Sequence, residues 1–210
     1  MKHPKTDYQD KMKHSYTNDQ QRSHSSIGKA FKVGLASIAM ATGFTQASVQ
    51  AADEQREYFC GSENPVEAQS IDTIIPALYQ TVSGKAGSKK NWSLLKALFA
   101  ETASVTPVFH ASGGEMNAKI STVDEFIALN KTIFKDQDFF ETEVSRKTFT
   151  FGHMANILSH YESRDAMGAE PYAQGINSFQ LLNDGRRWCV ISVTWDSHST
   201  DHPIESVSLN

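Results

Sequence analysis

Several kinds of functional motif are missing from this chain of 210 residues. Its two cysteines do not form a CxxC pair, which disfavours a zinc site or a thiol redox motif. We find no metal-binding histidine spacing, phosphate-cradling glycine motif, nucleophile elbow or clear carboxylate pair, so no metal and no cofactor are expected. After residue 51 the chain has 13 basic and 21 acidic residues, which argues against nucleic-acid binding because phosphates must be neutralised.

Long apolar runs are also missing. The longest, from Val33 to about Phe44, is shorter than the roughly 20 residues that a membrane-spanning helix needs. Two lysines precede this run, and small residues follow it, with Val49 and Ala51 at the −3 and −1 positions. This order is typical of a secretory signal peptide, and a short buried helix is the alternative. We expect residues 1–51 to be the signal peptide, cleaved after Ala51, and the mature protein to be periplasmic or secreted without membrane attachment.

The pairing of the two cysteines is left open by the sequence. Both Cys60 and Cys189 lie in the predicted mature part, and an oxidising compartment permits a disulfide between them. Two unpaired thiols, one of them buried in a strand, are the equal alternative, because the pairing depends on a geometry that the sequence does not reveal.

Helical patterns dominate the first half of the mature chain, after a polar lead-in over residues 52–69. Apolar residues at helical spacing predict a first helix from Ile71 to Val82, with Asp72 as its cap. A second helix is predicted from Asn91, and it should end before Pro107, where a strand opens. A third helix begins with a capping box in "STVDEF", where the side chains of Thr122 and Glu125 satisfy each other's amide groups.

Strand patterns dominate the second half. Residues 139–164 are rich in aromatic and β-branched residues and should hold two strands. "YAQGINSFQLL" and "RRWCVISVTW" predict two more, joined by a hairpin turn at Asn183-Asp184-Gly185. Helices first and a strand meander afterwards predict an α+β fold, with a curved antiparallel sheet wrapped over three N-terminal helices. The domain should span residues 70–198, followed by a tail over 199–210.

Two segments resemble a known superfamily. "NWSLLKALFAETASVTPVF" and "YESRDAMGAEPYAQGINSFQLLNDGRRWCVISVTWDS" are similar to nuclear-transport-factor-2-like (NTF2-like) proteins, which include ketosteroid isomerases, SnoaL-like cyclases and scytalone dehydratase. The second segment resembles a bacterial, SnoaL-like branch without a settled activity, and the resemblance covers about residues 68–198. It implies a cone-shaped fold with an apolar pocket. Cys189 departs from the branch, which often has an aromatic residue there.

The resemblance also argues against one specific reaction. Ketosteroid isomerases use an aspartate near the start of the first strand as the base, and the nearest matching position here is Thr106. A hydroxyl group cannot replace a carboxylate as a proton shuttle near neutral pH. Isomerisation through that base is therefore disfavoured.

Strand periodicity separates an inner from an outer face in the last hairpin. Odd positions such as Phe179, Ile191 and Trp195 form an apolar face, and Asn177 shares their parity. Its amide would then be a ligand contact or a satisfied structural group, since a buried amide must be paired. The full set of predicted ligand-binding residues is Trp92, Phe109, His153, Tyr161, Asn177, Phe179 and Trp195.

The candidates for acid–base chemistry are weaker. Tyr161 could donate to a developing oxyanion, a desolvated Glu162 could act as an acid, and His153 is a natural general base. Tyr161 and Glu162 point to opposite faces of a strand, so only one of them can line the cone. The alternative for Glu162 is an ion pair with Arg164, two residues along the same face.

Three functions remain open. The first is the non-catalytic binding of a small apolar or aromatic molecule in the cone. The second is a SnoaL-like isomerase, cyclase, dehydratase or hydrolase acting on such a molecule, which the fold class favours by association only. The third is a dimeric interaction module whose outer sheet face carries Tyr161 or Glu162 with Gln180 and Trp188. A homodimer is expected in any case.

Overall fold

The computed structural model describes residues 8–20, 58–110 and 115–204. Four α-helices occur there, and they are α1 Tyr8–Gln20, α2 Ile71–Val82, α3 Trp92–Ala97 and α4 Val123–Ile133. Seven strands accompany them, and they are β1 Phe99–His110, β2 Met116–Ala118, β3 Ser121–Thr122, β4 Phe140–Phe151, β5 Met154–Arg164, β6 Ala173–Asn183 and β7 Trp188–Ser197. A 3₁₀ turn, Val66–Ala68, precedes α2.

The helices begin where their side chains can satisfy free amide groups. At α4, Thr122 and Glu125 form the predicted capping box. At α2 the cap is Ser70 rather than the predicted Asp72, because Ser70 forms a reciprocal box with Thr73. Pro76 is accommodated inside α2, whose apolar side faces the core.

The strands form one curved sheet in the order β2-β1-β7-β6-β5-β4, with β3 also paired to β1. Helices α2, α3 and α4 pack against this sheet, which confirms the predicted α+β class. One pairing differs from an antiparallel sheet, because β1 runs parallel to β7. We call the helix-covered side of the sheet its inner face.

The first long strand begins earlier than the sequence predicts. The second helix ends at Ala97, and β1 starts at Phe99 instead of Pro107. From Ala103 onward the side chains of β1 alternate between buried and less buried positions, as a strand that covers a core requires. Pro107 is tolerated because β3 pairs with residues 104–105 and β2 with residues 108–110, so this edge is unpaired at the proline.

The last hairpin forms as predicted, with one change of parity. The turn contains Gly185 at a φ of 94°, a conformation that favours glycine, and the Gly185 amide donates to Asn183 Oδ1. A bulge between Gln180 and Leu181 shifts the pairing with β7. As a result Val190, and not the predicted Ile191, is the fully buried residue there.

The lead-in is attached to this hairpin by a covalent and a polar link. Cys60 and Cys189 form a disulfide with a Cα–Cα distance of 5.6 Å, and both residues are buried. The buried Arg187 donates to the carbonyl oxygens of Cys60 and Ala97, the latter at 2.7 Å. Asp184 accepts the Cys60 amide at 3.3 Å. These contacts join the lead-in and the end of α3 to the sheet.

Helix α1 lies against α4, inside the segment that the sequence assigns to the signal peptide. Its Tyr8 and Met12 side chains are buried in the core. The apolar run from Val33 to Phe44 and the predicted cleavage site at Ala51 lie outside the described residues. Within the described ranges, every helix is too short or too polar to cross a membrane.

Candidate functional site

A cavity of about 70 Å³ lies between the helices and the inner face of the sheet. Most of its wall is apolar. The helices contribute Leu78, Val82, Leu95 and Phe126, and the sheet contributes Phe99, Val105, Phe179, Val193 and Trp195. Four side chains with polar groups also line it, and they are Tyr8, Tyr79, Glu141 and Asn177. Such a combination of apolar walls and few polar groups is typical of small-molecule sites.

A chain of hydrogen bonds crosses the inner face of the sheet. Asn177 Nδ2 donates to Tyr79 Oη at 2.9 Å, and the hydroxyls of Tyr79 and Ser159 are 2.7 Å apart. Ser159 Oγ donates to Glu143 Oε1 at 2.7 Å. Because Ser159 has one proton to give, the Tyr79 hydroxyl is the donor in the bond that they share. The hydrogen bonds therefore all run in one direction, from the Asn177 amide to the Glu143 carboxylate.

Glu141 is the carboxylate that lines the cavity. It lies on β4 two residues before Glu143, and the two share the inner face. Burial raises the pKa of Glu141 to about 7, although a 3.3 Å hydrogen bond from Ser163 Oγ lowers it. Glu141 is therefore able to take up and release a proton near neutral pH.

Two buried tyrosines lie close enough to Glu141 to sense its charge. Burial, and after it the charge of Glu141, raises the pKa of Tyr79 and likewise that of Tyr161. The Tyr161 hydroxyl is 3.1 Å from Ser197 Oγ on β7. Both phenols stay protonated at neutral pH and can act as hydrogen-bond donors.

The Tyr161 ring reaches Ser197 only because Gly175 lies between them in the sheet. A Cβ atom at Gly175 would be 2.6 Å from Tyr161 Oη and would also meet the backbone oxygen of Asp196. We predict that Gly175→Ala lowers the free energy of unfolding by about 1–3 kcal/mol, because an overpacked interior forces the strand to shift. Urea unfolding measures this. Ser178→Ala, on the exposed face of the same strand, is the control and should change it by less than about 0.5 kcal/mol.

Three of the seven residues predicted to bind a ligand line the cavity, and they are Asn177, Phe179 and Trp195. Tyr161 is buried on the same inner face behind them. Trp92 packs outside the lining, with its ring stacked 6.2 Å from that of Phe134.

The structure does not bring the other predicted candidates to the cavity. Phe109 lines a separate surface pocket near the end of β1. His153 is exposed at the β4–β5 turn, where Nδ1 is 3.1 Å from the Asn183 carbonyl oxygen. Glu162 forms an ion pair with Arg164 on the outer face, which is the alternative that the strand spacing offered.

Tyr79, Glu141 and Glu143 are not among the residues that the sequence predicts for the site. The two glutamates alternate with other residues in "FFETEVSR", a pattern that would have placed them on one face once that strand was assigned to the sheet. A bulge between Glu143 and Ser145 then reverses the parity, which hides the pattern. Among the described residues, no group of three His, Cys, Asp or Glu side chains could hold a metal ion.

No protein-family model matches this chain, and no curated protein matches it either. Several solved structures are similar to it. An NTF2-like protein of unknown function from Shewanella baltica has 11% identity over 60% of this chain and 86% of its own, with a TM-score of 0.40. A cystatin-like protein of unknown function from Nostoc punctiforme has 8% identity over 63% and 96%, with a TM-score of 0.46.

An NTF2-like protein of unknown function from Silicibacter pomeroyi has 19% identity over 60% of this chain and 97% of its own, with a TM-score of 0.41. The NTF2-like description is the one that the sequence resemblance implies, and none of these three is described as SnoaL-like. At such low identity, the function of this chain has to be argued from its own residues.

Proposed function

We propose that this chain is an exported protein that binds a small, mainly apolar molecule in the cavity between its helices and the inner face of its sheet. The observation that carries the proposal is the lining itself. Ten apolar side chains surround this space, and among the described residues Tyr8, Tyr79, Glu141 and Asn177 supply its polar groups. Apolar walls supply affinity, and a few fixed polar groups orient the ligand.

Binding fits the polar groups better than catalysis does. Tyr79 and Asn177 are hydrogen-bonded to each other, and the series of hydrogen bonds that they begin continues through Ser159 to Glu143. Their positions are therefore fixed before a ligand arrives. A fixed donor costs less ordering entropy when it engages a ligand. The second N–H of Asn177 Nδ2, besides the one given to Tyr79, therefore suits recognition of a carbonyl or hydroxyl group at one end of an otherwise apolar molecule.

Acid–base catalysis is the second candidate, and Glu141 is the observation that favours it. Its pKa of about 7 suits a group that must accept and return a proton near neutral pH. Asn177, which lines the same cavity, has a second N–H on Nδ2 besides the one that it gives to Tyr79, and this N–H would be the electrophilic donor to a developing oxyanion. The reaction class would be a proton shift next to a carbonyl group, with Glu141 as the base.

Export is supported by the order of basic, apolar and small residues before Ala51 and by the disulfide, which belongs to oxidising compartments. To test export and binding together, the full chain with a C-terminal tag is expressed in a bacterium and recovered from the periplasm. We expect an intact mass that starts at Ala52 and includes the disulfide. Recovery of the uncleaved chain from the cytosol would exclude export.

The same preparation tests binding by mass spectrometry of an organic extract. We expect a small molecule that co-purifies with the wild-type chain and is lost from Val193→Phe, because the larger ring fills the cavity. Thr194→Val, whose side chain is exposed on the opposite face, is the matched control and should retain the molecule. Equal recovery of every extracted molecule from Val193→Phe would exclude binding in the cavity.

A further inference from the structure

One of the two tyrosines that line the cavity comes from helix α1. Tyr8, on α1, is almost completely buried and lines the cavity together with Phe139. Its ring centroid lies 4.6 Å from that of Phe139 and 5.3 Å from that of Phe134. The Tyr8 hydroxyl donates to Asn130 Oδ1 at 2.7 Å. These contacts hold both the face and the hydroxyl of one aromatic ring.

Asn130 is an unusual residue for the middle of a core helix. It lies on α4 with no exposed surface, and its Nδ2 is occupied by the Phe126 carbonyl oxygen at 2.8 Å. Its Oδ1 accepts from Tyr8. A buried amide oxygen needs a donor, because an unsatisfied acceptor in an apolar setting destabilises the fold. Whenever Tyr8 is absent, Asn130 therefore requires another hydroxyl or N–H group.

Helix α1 is attached to the domain by few apolar contacts. Of the α1 side chains that the structure describes, Tyr8 and Met12 are the ones buried in the core. The rest of the helix is mainly polar, with charged residues such as Asp10 and Lys13. Lys13 Nζ adds a polar contact by donating to the His110 carbonyl oxygen at 3.1 Å. A short helix that buries so little apolar surface can leave without unfolding the sheet.

We propose that Asn130, Phe134 and Phe139 form a recognition site for the phenol group of a small aromatic ligand, and that Tyr8 occupies this site as an internal ligand until α1 leaves. This inference rests on the proposed function and names its ligand class. Cleavage after Ala51 would remove α1 together with the signal peptide. The exported protein would then present an empty aromatic slot with one buried acceptor, continuous with the apolar cavity.

The test uses the full chain and two probes that differ by one hydroxyl group, 4-fluorophenol and fluorobenzene, observed by ¹⁹F NMR. Tyr8→Ala vacates the slot and leaves room for one such ring. We expect this variant to bind 4-fluorophenol at least about fivefold more tightly than fluorobenzene, because the hydroxyl satisfies Asn130. The wild-type chain and Tyr8→Phe keep a ring in the slot and should bind both probes at least about tenfold more weakly than Tyr8→Ala does.

Asn130→Leu in the Tyr8→Ala background keeps the side-chain size and removes the acceptor, so the preference for the phenol should disappear. Met12→Asp is an independent route, since a charge in the core should expel α1 and open the slot without a cavity mutation. It should show the same preference as Tyr8→Ala. Folding of each variant is checked by circular dichroism, and a folded Met12→Asp suffices if Tyr8→Ala does not fold.

Equal binding of the two probes, or no binding of either to a folded variant with an open slot, would overturn the phenol site. The proposed function can still hold in that case, because it is judged by the molecule lost from Val193→Phe. Conversely, a clear phenol preference with no such co-purified molecule would support the slot and leave the proposed function contradicted. The two failures are therefore distinguishable.

Discussion

Replacing both cysteines with alanine is expected to lower the free energy of unfolding by about 5 kcal/mol. The disulfide joins residues 129 positions apart, so it removes a large part of the entropy of the unfolded chain. The expected shift of the urea midpoint is about 2–3 M at a slope of about 2 kcal/mol per M. Equilibrium unfolding of the oxidised wild-type chain and of C60A/C189A measures the difference.

Reduction of the wild-type disulfide supplies the matched control. The reduced wild-type chain should unfold close to the midpoint of C60A/C189A, and the reductant should leave the double variant unchanged. The lead-in remains bound through Arg187, which donates to the Cys60 carbonyl oxygen, so the native structure should persist after reduction. An oxidised chain no more stable than the reduced one would show that the loop entropy is offset elsewhere, for example by structure that persists in the unfolded state.

Features that depend on neighbouring residues could be predicted from the sequence. The capping box of Thr122 and Glu125 and the turn at Asn183-Asp184-Gly185 need only local geometry, and both are found. The inward position of Asn177 also follows, because strand parity holds from there to Phe179. The α+β order of elements then follows from the order of helical and strand patterns.

Features that depend on distant contacts could not be predicted. Whether residues 99–106 extend a helix or begin a strand is decided by pairing with β7, which lies about 90 residues later in the sequence. The bulge after Glu143 reverses the parity of the rest of β4, so alternation along the whole strand does not show that Glu141 and Glu143 face inward. Tyr8 lies in a leader-like segment, and only the tertiary structure brings its hydroxyl to Asn130.

Glu141→Gln is expected to become more stabilising, relative to the wild type, as the pH rises from acid to alkaline. The pKa of Glu141 is about 7 in the folded chain and 4.5 as the ordinary value, so the folded state binds the proton more tightly. The stability that comes from this protonated carboxyl is complete below about pH 4.5 and is lost as the pH rises through about 7. The loss amounts to about 3 kcal/mol at most, since each pKa unit corresponds to about 1.4 kcal/mol.

Glutamine stays neutral throughout, so the variant lacks this loss. Other titrating groups occur in both chains and cancel in the difference between them. We therefore expect the free energy of unfolding of Glu141→Gln, minus that of the wild type, to grow by up to about 3 kcal/mol between pH 4 and pH 8. Urea unfolding at a series of pH values at constant ionic strength measures this difference.

Ser163→Ala tests the cause of the effect as well as its size. The Ser163 hydroxyl donates to Glu141 Oε1 and lowers its pKa, so its removal should raise that pKa further and move the loss of stability to higher pH. A difference between Glu141→Gln and wild type that does not change with pH would mean that water reaches the carboxylate freely. The cavity would then be too wet for Glu141 to act as a base, and a polar ligand would fit it better than an apolar one.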